Sequence, residues 1–265
     1  MSNGTSPASV ASRALLLAGP AALAVLALLS AWEIYVALAG ISPLILPPPS
    51  RILAQVFEQR HVLAGHSWAT LQAAVLGFAL SLMAAFLLSI VIDFFPCARR
   101  AILPVLIVTQ TLPLVAIAPL VVLWFGFGLV PKILLVALVT FFPMLVAWAR
   151  GYEATEAEIQ LLVRSMGASR VKLFLVARLP SALPYFFAGL RVSITYAVVG
   201  AIFAEYAGAA RGLGIFMLNA KNNFRPDLVL AAVLVSAVLT LVLFGLAVLC
   251  ERATMPWTRL SDRRP

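Results

Sequence analysis

Few residues in this 265-residue chain have the types and spacing that chemistry requires. His61 and His66 are its histidines, and no matching set of acidic residues or cysteines is spaced to complete a metal site with them. Both are expected to be solvated loop residues. Catalytic work would need His, Asp, Glu or Ser groups gathered at one depth, and no such constellation is visible. No Gly-x-x-x-x-Gly-Lys-Ser/Thr run occurs, so the chain does not cradle nucleotide phosphates itself. Cys97 and Cys250 each fall at the end of an apolar run and are expected to be inert thiols. Two features remain. One is a polar trio, Thr109-Gln110-Thr111, beside Pro113 inside an apolar run. The other is a charged, amphipathic segment from Gly151 to Pro180.

The second feature has the pattern of a lever. Thr155 and Glu158 are spaced as a capping box, hydroxyl and carboxylate three apart at a helix start. Glu153, Glu156 and Glu158 cluster near the positive end of that helix, and Arg164 lies toward its negative end. Ile159, Leu162, Val163 and Met166 recur at helical spacing. Gly167 breaks the helix, because glycine alone takes a left-handed turn at little cost. Ser169 can cap a second short helix, with Val171, Phe174 and Leu175 on its apolar face and Arg170 and Lys172 on its polar one. Leu179-Pro180 is expected to end it. Such a helix–turn–helix either lies flat in a headgroup layer or docks into a groove on a partner.

The elements that position these residues are set by composition. Hydrophobic residues make up 63% of the chain and charged residues 11%, with a mean hydropathy of +1.05. A water-soluble domain could not hide that much apolar surface, so the fold class expected is an all-α integral membrane protein. The net charge of +9 sits at span ends, as membrane topology requires, and does not point to nucleic acid. About six spans can be drawn, long enough for a hydrocarbon core of roughly 30 Å. They are Ala14–Ala39, Trp68–Ile92, Ala101–Phe125, Ile133–Ala149, Tyr185–Ala204 and Leu228–Cys250. The amphipathic segment then falls between the fourth and fifth. The expected organisation is a tail over 1–13, a bundle over 14–250 and a second tail over 251–265.

An even number of spans puts both termini on one side. The segments on that side hold twelve Lys and Arg and the opposite loops hold six, with Arg191 left inside the fifth span. The richer side is expected to be cytoplasmic, and the 151–180 segment lies on it. Arg191 is placed to snorkel to the interface, and Glu33 is the other charge well within a drawn span. In the first outer loop Pro47, Pro48 and Pro49 are stiff, and Ser50 can cap a short surface helix. In the third span Pro104, Pro113 and Pro119 predict a bend or local unwinding. The Thr109–Thr111 trio beside it fits either helix–helix hydrogen bonding or the lining of a solute path.

With those residues in view, the chain resembles the membrane subunit of a bacterial binding-protein-dependent importer of the ATP-binding-cassette class. Those permeases carry Glu-Ala-Ala, three residues, Gly, nine residues, then Ile-x-Leu-Pro. Gly167 takes the glycine, and Ala177-Arg178-Leu179-Pro180 follows at the family spacing. Alanine replaces the isoleucine, and Leu161-Leu162-Val163 stands where Glu-Ala-Ala would be. Thr109-Gln110-Thr111-Leu112-Pro113, Ala118-Pro119-Leu120, Leu123–Gly128, Gly167-Ala168-Ser169-Arg170, Leu179–Tyr185 and Gly212-Leu213-Gly214 are similar to the nitrate, sulfonate, taurine and pyrimidine-precursor branch.

The resemblance implies a permease in the bacterial inner membrane with both termini in the cytoplasm, and not an enzyme. It implies a dimer of ATPase subunits that binds ATP and Mg, an extracytoplasmic solute-binding protein and a second permease copy; this chain would bind no cofactor or metal itself. Val163, Met166, Gly167, Ala168, Ser169, Arg170, Phe174, Leu179 and Pro180 would couple to the ATPase. Thr109, Gln110, Thr111 and Pro113 would line the translocation path, and Glu205 and Arg211 would form an outer gate. The Gln-Thr-x-Pro block leans toward a thiamine pyrimidine precursor as cargo, with riboflavin, sulfonate or taurine, and nitrate as alternatives. A secondary transporter is the rival class; it would usually show more spans, internal repeats and buried coupling charges.

Overall fold

The computed structural model describes residues 7–255, and side chains from Gly19 onward except at position 21. The expected tails therefore lie mostly outside the described residues, including Arg259, Arg263 and Arg264; the side chain of Arg13 lies outside them too. Among the described residues the regular structure is helical throughout, eleven α-helices and one π turn. Helix formation follows from the solvent: in lipid every backbone N–H and C=O must be satisfied within its own segment.

Four helices are long and apolar enough to cross a membrane. They are α3 (Arg60–Phe94), α6 (Leu129–Glu153), the continuous Arg170–Tyr206 stretch and α11 (Pro226–Thr254). A fifth candidate is broken: α4 (Pro96–Thr109) and α5 (Leu114–Phe125) meet at 99°. The proline-rich third span thus does unwind, at Gln110–Pro113. Helix α1 (Pro7–Leu38) carries a shorter apolar stretch, Ala22–Leu38.

The helices group into two compact units. In one, the N-terminal helices through Arg60 associate with Ala220–Ala231. Here α2 (Pro49–Glu58) begins after Pro48, and Ser50 does not cap it. Ser50 instead donates its backbone N–H (3.0 Å) and its hydroxyl (2.7 Å) to the Glu33 carboxylate. A carboxylate from α1 thus sits at the positive end of α2 and does the capping from outside. In the same unit Asp227 is buried and accepts from Arg51 at 3.2 Å and Arg225 at 2.9 Å. That hydrogen bond holds the Arg225 guanidinium proton more tightly than usual.

The other unit runs from His61 to Asn219 and continues from Ala232. Its centre is α6, packed along the length of α9 (Leu179–Tyr206). Small residues permit this approach: a Cβ on Gly200 would lie 2.8 Å from Val139 Cγ2, and Gly189 abuts Ala147. Helix α6 also meets α3, where a Cβ on Gly77 would lie 2.6 Å from Val136 Cβ, and Ala73 and Ala74 of α3 join Val136, Ala197 and Ala201 in one cluster. Lipid tails offer no hydrophobic incentive for helices to associate, so close packing of small residues has to supply it.

Candidate functional site

The amphipathic segment folds largely as its residues dictate, with three differences. Helix α7 spans Ala157–Ser165, one residue later than a Thr155 cap would start it. Glu156 is the N-cap residue and makes no side-chain bond, while the Thr155 hydroxyl is buried without a partner. The expected Thr155–Glu158 capping box is therefore absent, although Glu158 and Arg164 do flank the helix dipole as charge logic requires. Gly167 then adopts φ +77°. Its N–H bonds Arg164 O at 2.9 Å and the Ala168 N–H bonds Val163 O at 3.3 Å, the paired bonds that close a helix through a left-handed glycine. Ser169 caps α8 (Arg170–Leu173) by accepting the Lys172 N–H at 3.3 Å.

The second difference is at Leu179-Pro180, which does not end the second helix. The chain passes from α8 through a π turn (Phe174–Arg178) straight into α9. Proline supplies no N–H, and the wider turn shifts the hydrogen-bond register where that donor would be missed. The lever is thus the first part of a continuous 37-residue stretch, Arg170–Tyr206.

The third difference is orientation. Phe174, read as part of the docking face, is only 5% exposed. It packs in an aromatic cluster with Trp148, Tyr152 and Phe94, and Leu179 borders the same cluster. Met166, by contrast, is 78% exposed, with Leu161, Leu162, Ile159 and Val171 also open. One face anchors the segment to the bundle and the other presents apolar side chains outward. Val163 and Ala168 are half-buried, and Gly167, Ser169, Arg170 and Pro180 are exposed.

The broken span opens a cavity of about 510 Å³. Thr109 and Gln110 line it, facing Phe142, Tyr196, Val199 and Phe203 from α6 and α9. The Thr109 hydroxyl donates to Leu106 O at 2.6 Å and that of Thr111 to Val108 O at 2.7 Å. Both hydroxyl protons are committed to their own backbone, so Gln110 is the side chain of the trio that still has donors to offer. Thr111 is exposed and is not among the cavity-lining residues, nor is Pro113, which immediately precedes α5 as its N-cap residue.

Near the end of α9 remote from Gly167, Glu205, read from the sequence as part of an outer gate, is the centre of a polar cluster whose partners on α3 the sequence did not reveal. Glu205 is completely buried. Its carboxylate accepts the Gly214 N–H at 2.7 Å and lies 2.9 and 3.1 Å from the Thr70 hydroxyl, which itself accepts the Leu213 N–H at 2.8 Å. His66 is on α3, half-buried against Phe216, and not in a loop. Its Nδ1 lies 3.0 Å from the Gly212 nitrogen and 2.8 Å from the Gly212 oxygen. The ring accepts the N–H when Nδ1 is bare and donates to the carbonyl when it is protonated. Lys132, also buried, donates to Arg211 O at 3.0 Å. Together these bonds tie α3, α6, α9 and the 211–214 turn, and they satisfy a carboxylate that could not be buried bare. Arg211 itself is exposed, so the expected Glu205–Arg211 pair is one interior and one surface residue. Among the described residues no three His, Cys, Asp or Glu side chains are grouped to hold a metal ion.

Residues 77–255 match the family described as binding-protein-dependent transport system inner membrane component. The chain belongs to that family. The permease is 34% identical to the formylaminopyrimidine transport permease protein ThiX of Halalkalibacterium halodurans, over 88% of this chain and 94% of that one. It is 34% identical to the riboflavin transport system permease protein RibX of Chloroflexus aurantiacus, over 87% of each. To the taurine transport system permease protein TauC of Escherichia coli it is also 34% identical, over 87% of this chain and 86% of that one. It is thus a multi-pass membrane permease of an ATP-binding-cassette importer, as the Gly167 turn and the apolar spans indicate.

The burial of Glu205 and its contact with Thr70, and the place of His66 beside them, escaped the sequence reading because α9 reaches Tyr206 and α3 starts at Arg60. Spans drawn on hydropathy ended at Ala204 and began at Trp68, which left Glu205 and His66 in loops. Glycines at 212 and 214, nine residues or fewer beyond a lone acid, were the available signal. Arg191 finds its partner in Glu251 at 3.3 Å.

Proposed function

We propose that this permease forms half of a solute path through the bacterial cytoplasmic membrane and is driven by a separate ATPase dimer docked on the Gly167 segment. The supporting observation is the two-sided build of that segment: Phe174 and Leu179 anchor it in the bundle while Met166, Leu161 and Leu162 stand open around a positive-φ glycine. Apolar anchors at helical spacing suit a groove on a partner. Val163, Met166, Gly167, Ala168, Ser169 and Arg170 form the docking knob; Phe174, Leu179 and Pro180 transmit its movement into α9. Because α8, the π turn and α9 are continuous, closure of the ATPase pair moves the span with the knob. ATP and Mg are bound by the partner.

The path runs by the broken third span. Irregular backbone at membrane depth is tolerated where it lines a cavity, and broken helices place polar groups there. Gln110 and Thr109 meet the cargo, with Thr111 and Pro113 shaping the break. The cavity is open on one side, and a second copy of the permease closes it. All six drawn spans cross, with α1 as the first and both termini in the cytoplasm, following the excess of Lys and Arg on that side. The Glu205 cluster and Arg211 then face the extracytoplasmic binding protein and set the outer gate.

The cargo is a pyrimidine precursor of the kind named for ThiX. That reading draws on the Gln110-Thr111-Leu112-Pro113 block; the equal identity to RibX and TauC keeps riboflavin and taurine as the next candidates. The test is ATP-driven accumulation of labelled formylaminopyrimidine by vesicles holding the permease, its ATPase and its binding protein. Accumulation that stops in Gly167→Val while cargo still binds the binding protein supports the reading. Uptake without ATP would place the protein among secondary transporters.

A further inference from the structure

Beside the lever is a second, smaller cavity of about 180 Å³ whose walls carry Arg164, Arg170, Arg178, Asp93, Pro96 and Phe174. Three arginines and one carboxylate thus border it. That carboxylate is already engaged: Asp93 accepts from Arg178 at 2.6 Å. Arg178 spends a second nitrogen on Gln160 at 3.1 Å, and its Nε–H is shielded from solvent with no acceptor. Arg164 and Arg170 make no ion pair among the described residues. Pro96 is the first residue of α4, a 14-residue helix whose start has no side-chain cap. The positive end of that helix therefore adds to the excess of positive charge.

The cavity's height in the bundle matters as much as its charge. Asp93 and Phe94 are the last residues of the α3 span, so the cavity lies at the end of a membrane crossing, where lipid phosphates lie. Basic pockets between spans at that depth recognise anionic headgroups. We propose that this cavity binds a phosphate oxyanion, from an anionic lipid headgroup or from free phosphate, and so links the lever to the α3–α4 turn. Arg164, Arg170 and Arg178 reach it from the lever, and Asp93 and the α4 start from the bundle. The link to coupling rests on the proposed docking role of the Gly167 segment, whereas binding itself does not.

The test uses the full-length permease alone, which separates its outcome from that of transport. The protein is purified from nanodiscs of mixed phosphatidylglycerol and phosphatidylcholine, and retained lipid is counted by native mass spectrometry. Each charge-assisted contact to a phosphate oxygen is worth about tenfold in affinity, so Arg164→Gln/Arg170→Gln should lower phosphatidylglycerol enrichment about a hundredfold. Both side chains are exposed, so the fold is expected to persist, and thermal unfolding checks this. Arg150→Gln/Lys172→Gln removes two exposed charges that do not line the cavity and should leave enrichment near wild type. In a parallel arm, inorganic phosphate is titrated in phosphatidylcholine nanodiscs; a saturable shift in unfolding temperature that the Arg164/Arg170 variant lacks assigns the site to free phosphate. Equal enrichment in wild type and the Arg164/Arg170 variant, with no phosphate response, overturns the proposal. So does an equal loss in both double variants, which would mean a diffuse surface attraction.

Discussion

Gly151 of α6 and Ala182 of α9 touch backbone to backbone: a Cβ on Gly151 would lie 2.6 Å from both Cα and Cβ of Ala182. The contact sits where the lever joins the bundle, next to the Trp148–Tyr152–Phe174 cluster. It leaves no space for a side chain. Gly151→Val should destabilise the protein by about 1–3 kcal/mol through overpacking. Thermal unfolding in detergent, followed by tryptophan fluorescence, measures this, and an unchanged midpoint would mean the two helices sit further apart.

Gly167 is the opposite case. Nothing lies within 4 Å of where its Cβ would be, so its requirement for glycine is conformational and not steric. At φ +77° asparagine is tolerated better than alanine, and a β-branched residue worst. Uptake rates should therefore fall in the order Gly, Asn, Ala, Val, while expression and unfolding temperature change little. A flat series would separate the turn from coupling.

Glu205 is buried with two kinds of donor on its carboxylate. Glu205→Gln retains an acceptor for the Gly214 N–H, whereas Glu205→Ala leaves that N–H unpaired at a cost of about 1–3 kcal/mol. The alanine variant should unfold at a lower temperature than the glutamine variant. Gly212→Ala should resemble the alanine variant, because its methyl would fall on the Glu205 carboxylate.

Asp93 and Arg178 form a largely buried charge-assisted bond between α3 and the lever. Asp93→Ala should cost about 1.5–3 kcal/mol. The double replacement of Asp93 and Arg178 by alanine should cost less than the sum of the single changes, since neither charge is then left unpaired. Additive losses in a double-mutant cycle would mean the pair does not interact.

Gln110 offers an amide with no hydrogen-bond partner among the described residues to the cavity that it lines. Gln110→Leu should raise the KM for cargo uptake about tenfold, the equivalent of one lost hydrogen bond to a polar solute. Thr111→Val should have a much smaller effect, because that hydroxyl serves its own helix. Equal effects at the two positions would move the path away from the break.

Much of this protein is determined by the sequence alone, because the solvent leaves the chain few choices. Apolar runs of bilayer length must be helices, Pro113 marks the interruption of the third run while Pro104 and Pro119 stay within its helical halves, and Gly167 must turn the lever. The break at Gln110–Pro113 and the φ of +77° at Gly167 follow from these local rules. Only the tertiary structure decided which face of each element is used. Phe174 and Met166 sit on one amphipathic segment, yet one is buried and the other is open, because the aromatic ring finds Trp148 and Tyr152 and the thioether finds no neighbour. Ser50 gives up a cap for Glu33, and Thr155 loses its cap to burial. Glu205 becomes interior through Thr70 and Gly214, one of them 135 residues away. Hydropathy marks where a chain enters lipid; which polar groups inside find one another depends on contacts between residues distant in sequence, and no local pattern encodes those.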